Sequence, residues 1–408
     1  APGVGNNLAQ LLADEPDSNV KVAAWGSLQS PHYGWVQQQL LEALYGEDVN
    51  VANAASRYVA RLDTANMSRF FGRVAMEKVC ASARANLLGL AVEYDYLDAP
   101  VQTLAAFIKT SNDRYVKAAY VNALGGRWEQ LTLIASLLEE ETDPAITTAA
   151  MNALSKLVNG GNIPHRFQSK LVEVIQLGFE KQDLATVALA SGLVTHPDLD
   201  SLVPTFQSDD FRAAMQAAYD NLELPQDVET LMALQSAMDY LTGVQSAESV
   251  VNPFNHPINW DRLADVRDDM RVVLSTSKGD IEWQLQVNEA PGSVESFLTL
   301  VDSGYYNGKT LHRVVPNFVV QGGCPRGDGF GGQDYSIRSE FAPLKYTTGA
   351  VGLASAGKDT ESCQWFITHS PTPHLEGRYT IFAYVTRGQE VVQQLEVGDV
   401  IENVTLFP

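Results

Sequence analysis

The sequence predicts two domains of different class: an all-α helical repeat of the α-solenoid kind over residues 1–245, and a closed antiparallel β-barrel of eight strands capped by two helices over residues 270–408. A linker and lead-in occupy 246–269. Three observations predict this division. Apolar residues recur at helical spacing before about residue 245 and alternate at a period of two after 270. Between them, at 241–257 (LTGVQSAESVVNPFNHP), Gly, Ser, Asn and two prolines cluster and helical propensity fades. Finally, 408 residues exceed the size at which one hydrophobic core usually stops growing.

In the first region each helical unit is opened by short polar punctuation. The segment Asp143–Leu157 (DPAITTAAMNALSKL) places Ile146, Ala149, Met151, Ala153, Leu154 and Leu157 on one broad apolar face. Asp143 suits the N-cap and Pro144 the first helical position, where a missing N–H costs nothing. Comparable units recur at Ser18–Leu28, Asp48–Leu62, Ser111–Leu124 and Lys181–Leu193. This weak internal repeat, with an Asp near the turn before an Ala- and Val-rich helix, resembles the HEAT family of helical repeats.

After the linker, Met270–Thr276 and Ile281–Leu285 read as a hairpin closed by Ser277-Lys278-Gly279-Asp280. Pro291 suits the first turn of a helix that continues through Val294, Phe297, Leu298, Leu300 and Val301. Further strands are expected near Leu311–Arg313, Phe318–Gly322, Val351–Leu353, Gln364–Thr368 and Phe382–Thr386, and a second helix near Glu390–Leu395. Ile258–Val266 is expected to be an ordered lead-in. Many short strands with two helices describe a barrel plugged at its ends.

The segments Leu311–Gly323 (LHRVVPNFVVQGG) and Ala350–Thr368 (AVGLASAGKDTESCQWFIT) together resemble the signature of the cyclophilins. The hairpin, the stretch Gly304–Gly308 (GYYNG) and the strand at Phe382–Val385 follow that family in order and spacing, so the resemblance spans 270–406. It implies a peptidyl-prolyl cis-trans isomerase without metal or other cofactor. By this resemblance Arg313 is the catalytic arginine and Gln321 the assisting glutamine. Phe318, Val319, Phe366 and Leu375 form the proline pocket, Gln364 is a second pocket glutamine, and Ala354-Ser355 lies alongside an extended substrate. Two further pocket positions depart from the family pattern. His374 stands where cyclosporin-sensitive members have tryptophan, as in bacterial-type members, which implies weak cyclosporin binding. Tyr379 stands in place of a pocket histidine.

These residue types fit the chemistry. An X-Pro bond rotates over a barrier approaching ~20 kcal/mol because C–N resonance is lost as the plane twists. No covalent bond breaks, so neither nucleophile nor redox group is required. A fixed donor aimed at the pyramidal imide nitrogen is stronger in the twisted state than in either planar one. Arginine offers a permanent charge and a rigid fork of donors. His312, beside it, reads as a packing residue, and Gly327–Gly332 as a flexible loop near a peptide groove. That loop lacks the Lys-Ser or Lys-Thr of a phosphate loop.

Composition narrows the partners. The net charge is −21, with 34 acidic against 18 basic residues in 1–270 and 15 against 10 in 271–408, so no cationic surface is available for nucleic acid. No apolar run is long enough to span a bilayer. Cys80, Cys324 and Cys363 are too scattered for a disulfide scaffold or a Cys-ligated zinc site and are expected to be buried as small hydrophobes. The expected partners are proline-containing protein or peptide clients, with the helical region as a protein-binding scaffold. The alternative is a proline-peptide-binding chaperone or scaffold module with little turnover. A start at Ala1, with the habits of exported multidomain bacterial relatives, points to the periplasm or cell envelope ahead of the cytoplasm.

Overall fold

The computed structural model describes residues 2–62, 65–94, 99–244, 252–253, 255–267 and 270–407. The chain divides into two compact units, Ala1–Ala214 and Met215–Pro408. The boundary drawn from composition at 245 follows the change of hydrophobic period, whereas this one follows contacts, and it groups the helix Val228–Thr242 with the second unit. Of the linker, residues 246–251, 254, 268 and 269 lie outside the described residues.

The first unit is built from helices whose starts are written in the sequence. Asp48, Asp113, Asp143 and Asp183 each accept backbone N–H bonds from the first turn of the helix that follows, satisfying donors that otherwise lack partners. The helices Ser18–Ser27, Val49–Val59, Ala81–Tyr94, Arg114–Asn122, Pro144–Asn159 and Leu184–Val194 pack one against the next in a row. A second set, including Tyr33–Tyr45, Leu131–Glu140 and His165–Glu180, packs alongside as partners. Small residues allow this closeness: a Cβ on Gly178 would lie 3.1 Å from the Ala190 methyl and 3.2 Å from Met151 Cε. The region is thus helical as expected, but the packing of these helices does not establish the expected HEAT-type solenoid.

The second unit centres on one sheet. Its strands are β1 (Arg271–Thr276), β2 (Gly279–Leu285), β3 (Arg313–Val315), β4 (Val319–Gly322), β5 (Ala350–Leu353), β6 (Trp365–Thr368), β7 (Ile381–Arg387) and β8 (Ile401–Phe407). Every pairing is antiparallel, in the order β3-β4-β6-β5-β7-β2-β1-β8. Register shifts in β1, β2 and β5 bend the strands and curl the sheet.

The curl does not close, which corrects the expected barrel: β3 and β8 remain edges about 13 Å apart, and the sheet is a half-barrel. The reason lies in β3. It is three residues long and ends at the turn containing Pro316, while the preceding Thr310 makes only an isolated bridge with Val400 instead of a ladder. β8 itself was not foreseen, because IENVTLF buries Ile401 and Val404 but does not alternate.

Trp283, Trp365, Phe297, Phe382 and Tyr306 fill the core between the sheet and the helix Pro291–Asp302. Both carboxylate oxygens of Glu340 accept N–H bonds at that helix's first turn, from Gly292 at 2.9 Å and Ser293 at 2.8 Å. The lead-in is ordered: Trp260–Leu263 is a helical turn, and Leu263 and Ile258 join this core. A smaller cluster of Val319, Tyr346, Ala350, Phe366, Leu375 and Ile381 forms separately, and the candidate site stands over it.

Candidate active site

β3 and β4 form a hairpin in which Arg313 pairs with Gln321, Val314 with Val320 and Val315 with Val319. The turn runs through Pro316 and Asn317, the latter at φ +64°, and the Phe318 N–H donates to the Val315 carbonyl at 3.0 Å. Arg313 and Gln321 therefore share a face because they are directly opposite in an antiparallel pair. The strands expected near Leu311–Arg313 and Phe318–Gly322 are thus the two arms of one hairpin.

The Arg313 side chain is exposed, and its guanidinium carbon stands 5.7 Å from the centroid of the Phe318 ring. Beneath lie Val319, Phe366 and Leu375, all buried. The Phe366 ring is fixed on two sides, stacked on Tyr346 at 5.7 Å and edge-on to Tyr379 at 5.8 Å. A cation over an apolar floor, with a glutamine beside it, suits a ring that must be gripped while the group attached to it rotates.

Gln364 acts as a clamp. It accepts from Gln321 Nε2 at 3.2 Å, and its own amide donates to the carbonyls of Gly329 at 2.8 Å and Gly331 at 3.0 Å. This ties the glycine-rich loop to the site and fixes the orientation of both glutamines. Positive φ at Gly327 (75°), Gly329 (99°) and Gly331 (81°) explains the glycines. The whole forms a cleft of about 290 Å³.

The model of the family "Cyclophilin type peptidyl-prolyl cis-trans isomerase/CLD" matches residues 271–406. Peptidyl-prolyl cis-trans isomerase B of Bacillus subtilis is 47% identical over 126 residues, which is 30% of this chain and 88% of that protein. The chain belongs to the cyclophilin-type peptidyl-prolyl cis-trans isomerases. A peptidyl-prolyl cis-trans isomerase of Helicobacter pylori (strain J99) is 40% identical over 139 residues, 33% of this chain and 86% of its own. The crystal structure of a cyclophilin type isomerase from Cryptosporidium parvum is similar at 30% identity, covering 34% of this chain and 98% of its own with a TM-score of 0.33. The chain is an enzyme acting on X-Pro bonds.

In this isomerase Arg313, Phe318, Val319, Gln321, Ala354, Ser355, Gln364, Phe366, Leu375 and Tyr379 all line the one cleft. His374 does not; it is exposed and stacks on Phe318 at 5.6 Å from outside. Residues the sequence reading did not name also line it: Tyr335, Thr360 and Ser362, and from much earlier in the chain Pro225, Gln226, Val228 and Glu229. Nothing in the pattern around 225–229 distinguishes it from a helix start.

His312 is no base. It packs within 3.5 Å of the Cβ position of Gly329, and neither ring nitrogen has a hydrogen-bond partner among the described residues. Burial first, opposed by Asp328 and reinforced by Arg313, lowers its pKa to about 4. His369 behaves alike: burial lowers it to about 4, and its backbone N–H holds the Phe318 carbonyl at 2.9 Å. A histidine depressed from about 6.5 to about 4 takes its proton more readily when unfolded, so stability is full above about pH 6.5 and falls as pH drops towards about 4. The loss is roughly 3 kcal/mol per residue. Replacing His369 with Gln is expected to remove one such step from the stability–pH curve followed by urea unfolding. An unchanged curve would show that His369 is not the neutral, buried group described.

Cys324 and Cys363 are buried free thiols, both pushed up by burial, while Cys80 is only half-buried. The Cys324 sulfur accepts N–H bonds from Gly327 at 3.2 Å and Gly329 at 3.3 Å, a structural use that shapes the same loop.

Proposed function

We propose that X-Pro bonds isomerise in the cleft over Phe318 and Phe366, with Arg313 stabilising the twisted imide. The observation that carries this is the guanidinium 5.7 Å from the Phe318 ring, directly across the strand pair from Gln321. The pyrrolidine ring packs against Phe318, Val319, Phe366 and Leu375, and the preceding residues run extended along Ala354-Ser355. Gln321, held by Gln364, donates to or accepts from the substrate backbone. As the C–N bond twists, the nitrogen lone pair becomes available to the guanidinium, an interaction absent from both planar states.

The clients on this reading are proline-containing proteins, and the helical unit is a protein-binding scaffold that brings them. Its helices pack one against the next and contribute none of the described residues lining the cleft, which supports that use. The test is exchange NMR on a labelled X-Pro peptide, without a coupling protease, comparing the intact chain with Arg313→Ala. Substoichiometric intact chain is expected to accelerate exchange. Peptide binding without acceleration would favour the chaperone reading instead.

A further inference from the structure

The segment Pro225–Glu229 precedes the family-matched residues 271–406, yet it lines the same cleft as Arg313. It belongs to the same compact unit as the sheet. Its placement is built rather than casual. Pro225 and Val228 are buried, and so is Asp227, whose carboxylate accepts the Glu223 N–H at 2.9 Å and closes the turn on itself. The Gln226 carbonyl lies 3.5 Å from where a Cβ on Gly332 would be, beside Ser362 Oγ. The helix Val228–Thr242 then starts, with Glu229 in its first turn.

We propose that this segment is an added wall of the substrate cleft and that Glu229 makes it selective for peptides carrying Lys or Arg on the N-terminal side of the X-Pro bond. The inference rests on the reading of the cleft given above, in which the residues preceding proline follow Ala354-Ser355. From that pair the lining continues through Ala356, whose N–H donates to Thr360 Oγ1 at 3.0 Å, to Ser362 and Gly332, and the Gln226 carbonyl stands beside Gly332.

The charges near it favour a cationic side chain. The Asp328 side chain is fully buried and paired with Arg326 at 2.8 Å, which offsets its charge only in part, since it still acts on Glu229. Glu229 is exposed, yet its surroundings desolvate it in part: its pKa is raised first by desolvation and then by Asp328. A Lys or Arg brought alongside would replace lost hydration and relieve the repulsion. The gain is that of a rim ion pair, about two- to fivefold in affinity.

The test uses the full chain at low salt and about pH 8, where carboxylates are ionised, with three labelled peptides differing only in one residue before the X-Pro pair: Lys, Gln or Glu. The Lys peptide is expected to have a KM about two- to fivefold below the Gln peptide. Glu229→Gln should abolish that ratio, and Glu229→Lys should reverse it in favour of the Glu peptide. Higher salt should compress it. A Lys-to-Gln ratio that survives both substitutions would overturn the proposal, as would variants that weaken all three peptides equally. Dissociation constants measured in parallel carry the same contrast, so an absence of turnover would end the isomerisation reading while this one was still decided.

Discussion

Arg313→Ala is expected to lower kcat/KM for an X-Pro peptide by about 10²- to 10³-fold while peptide affinity changes by only a few fold. The asymmetry follows from where the interaction exists. In either planar state the nitrogen lone pair is delocalised into the carbonyl and is a poor acceptor, so the guanidinium adds little to ground-state binding. Only the half-rotated imide presents a localised pair, and its stabilisation appears in the rate. The side chain is exposed and outside both hydrophobic clusters, so removing it should shift stability by no more than about 0.5 kcal/mol. Arg313→Lys keeps the charge but loses the rigid fork, and it should recover part of the rate. The measurement is exchange NMR for turnover, with fluorescence titration for affinity. Turnover within threefold of the unaltered chain would remove Arg313 from the reaction.

The site was more legible than the frame around it, and the reason is physical. Arg313, Phe318 and Gln321 sit on one hairpin whose pairing is local, and Gln364 and Phe366 lie in a second short motif that pairs with it across a longer stretch of chain, so two motifs carry the site. Strands were expected near Leu311–Arg313 and Phe318–Gly322; the turn at Pro316 and Asn317 pairs them directly, so that Arg313 and Gln321 are cross-strand neighbours, a register that spacing along the chain does not specify. Closure of the sheet was illegible because it depends on whether β3 is long enough to pair with β8, a contact between distant parts of the sequence. The family resemblance put His374 at a pocket position, whereas the short helical turn Pro373–Leu375 buries Leu375 and leaves His374 exposed against the Phe318 ring. The wall at 225–229 was beyond reach for the same reason as the closure of the sheet. Its role comes from tertiary contact, while its own residues read only as the start of a helix.

Phe366→Ala is expected to cost about 3–5 kcal/mol of stability and to raise KM at the same time. Phe366 is 6% exposed and sits on β6 opposite both Gln321 of β4 and Gly352 of β5. Gly352 shows how tightly the ring is seated: a Cβ there would fall 2.6 Å from Phe366 Cζ and 2.3 Å from Tyr346 Oη, so the glycine exists to let the two stacked rings lie against the strand. Deleting the ring leaves a void bounded by Tyr346, Tyr379 and a bare glycine, and nothing adjacent is positioned to fill it. For a unit of this size that loss lowers Tm by roughly 10 °C. Phe366→Leu refills much of the volume without the flat face, so it separates the two consequences. Stability should largely return while KM stays high, since the pyrrolidine ring needs a flat partner as well as an apolar one. If Phe366→Leu and Phe366→Ala, both verified as folded at the assay temperature, kept the KM of the unaltered chain, the ring would be core alone, and the substrate proline would have to bind elsewhere in the cleft.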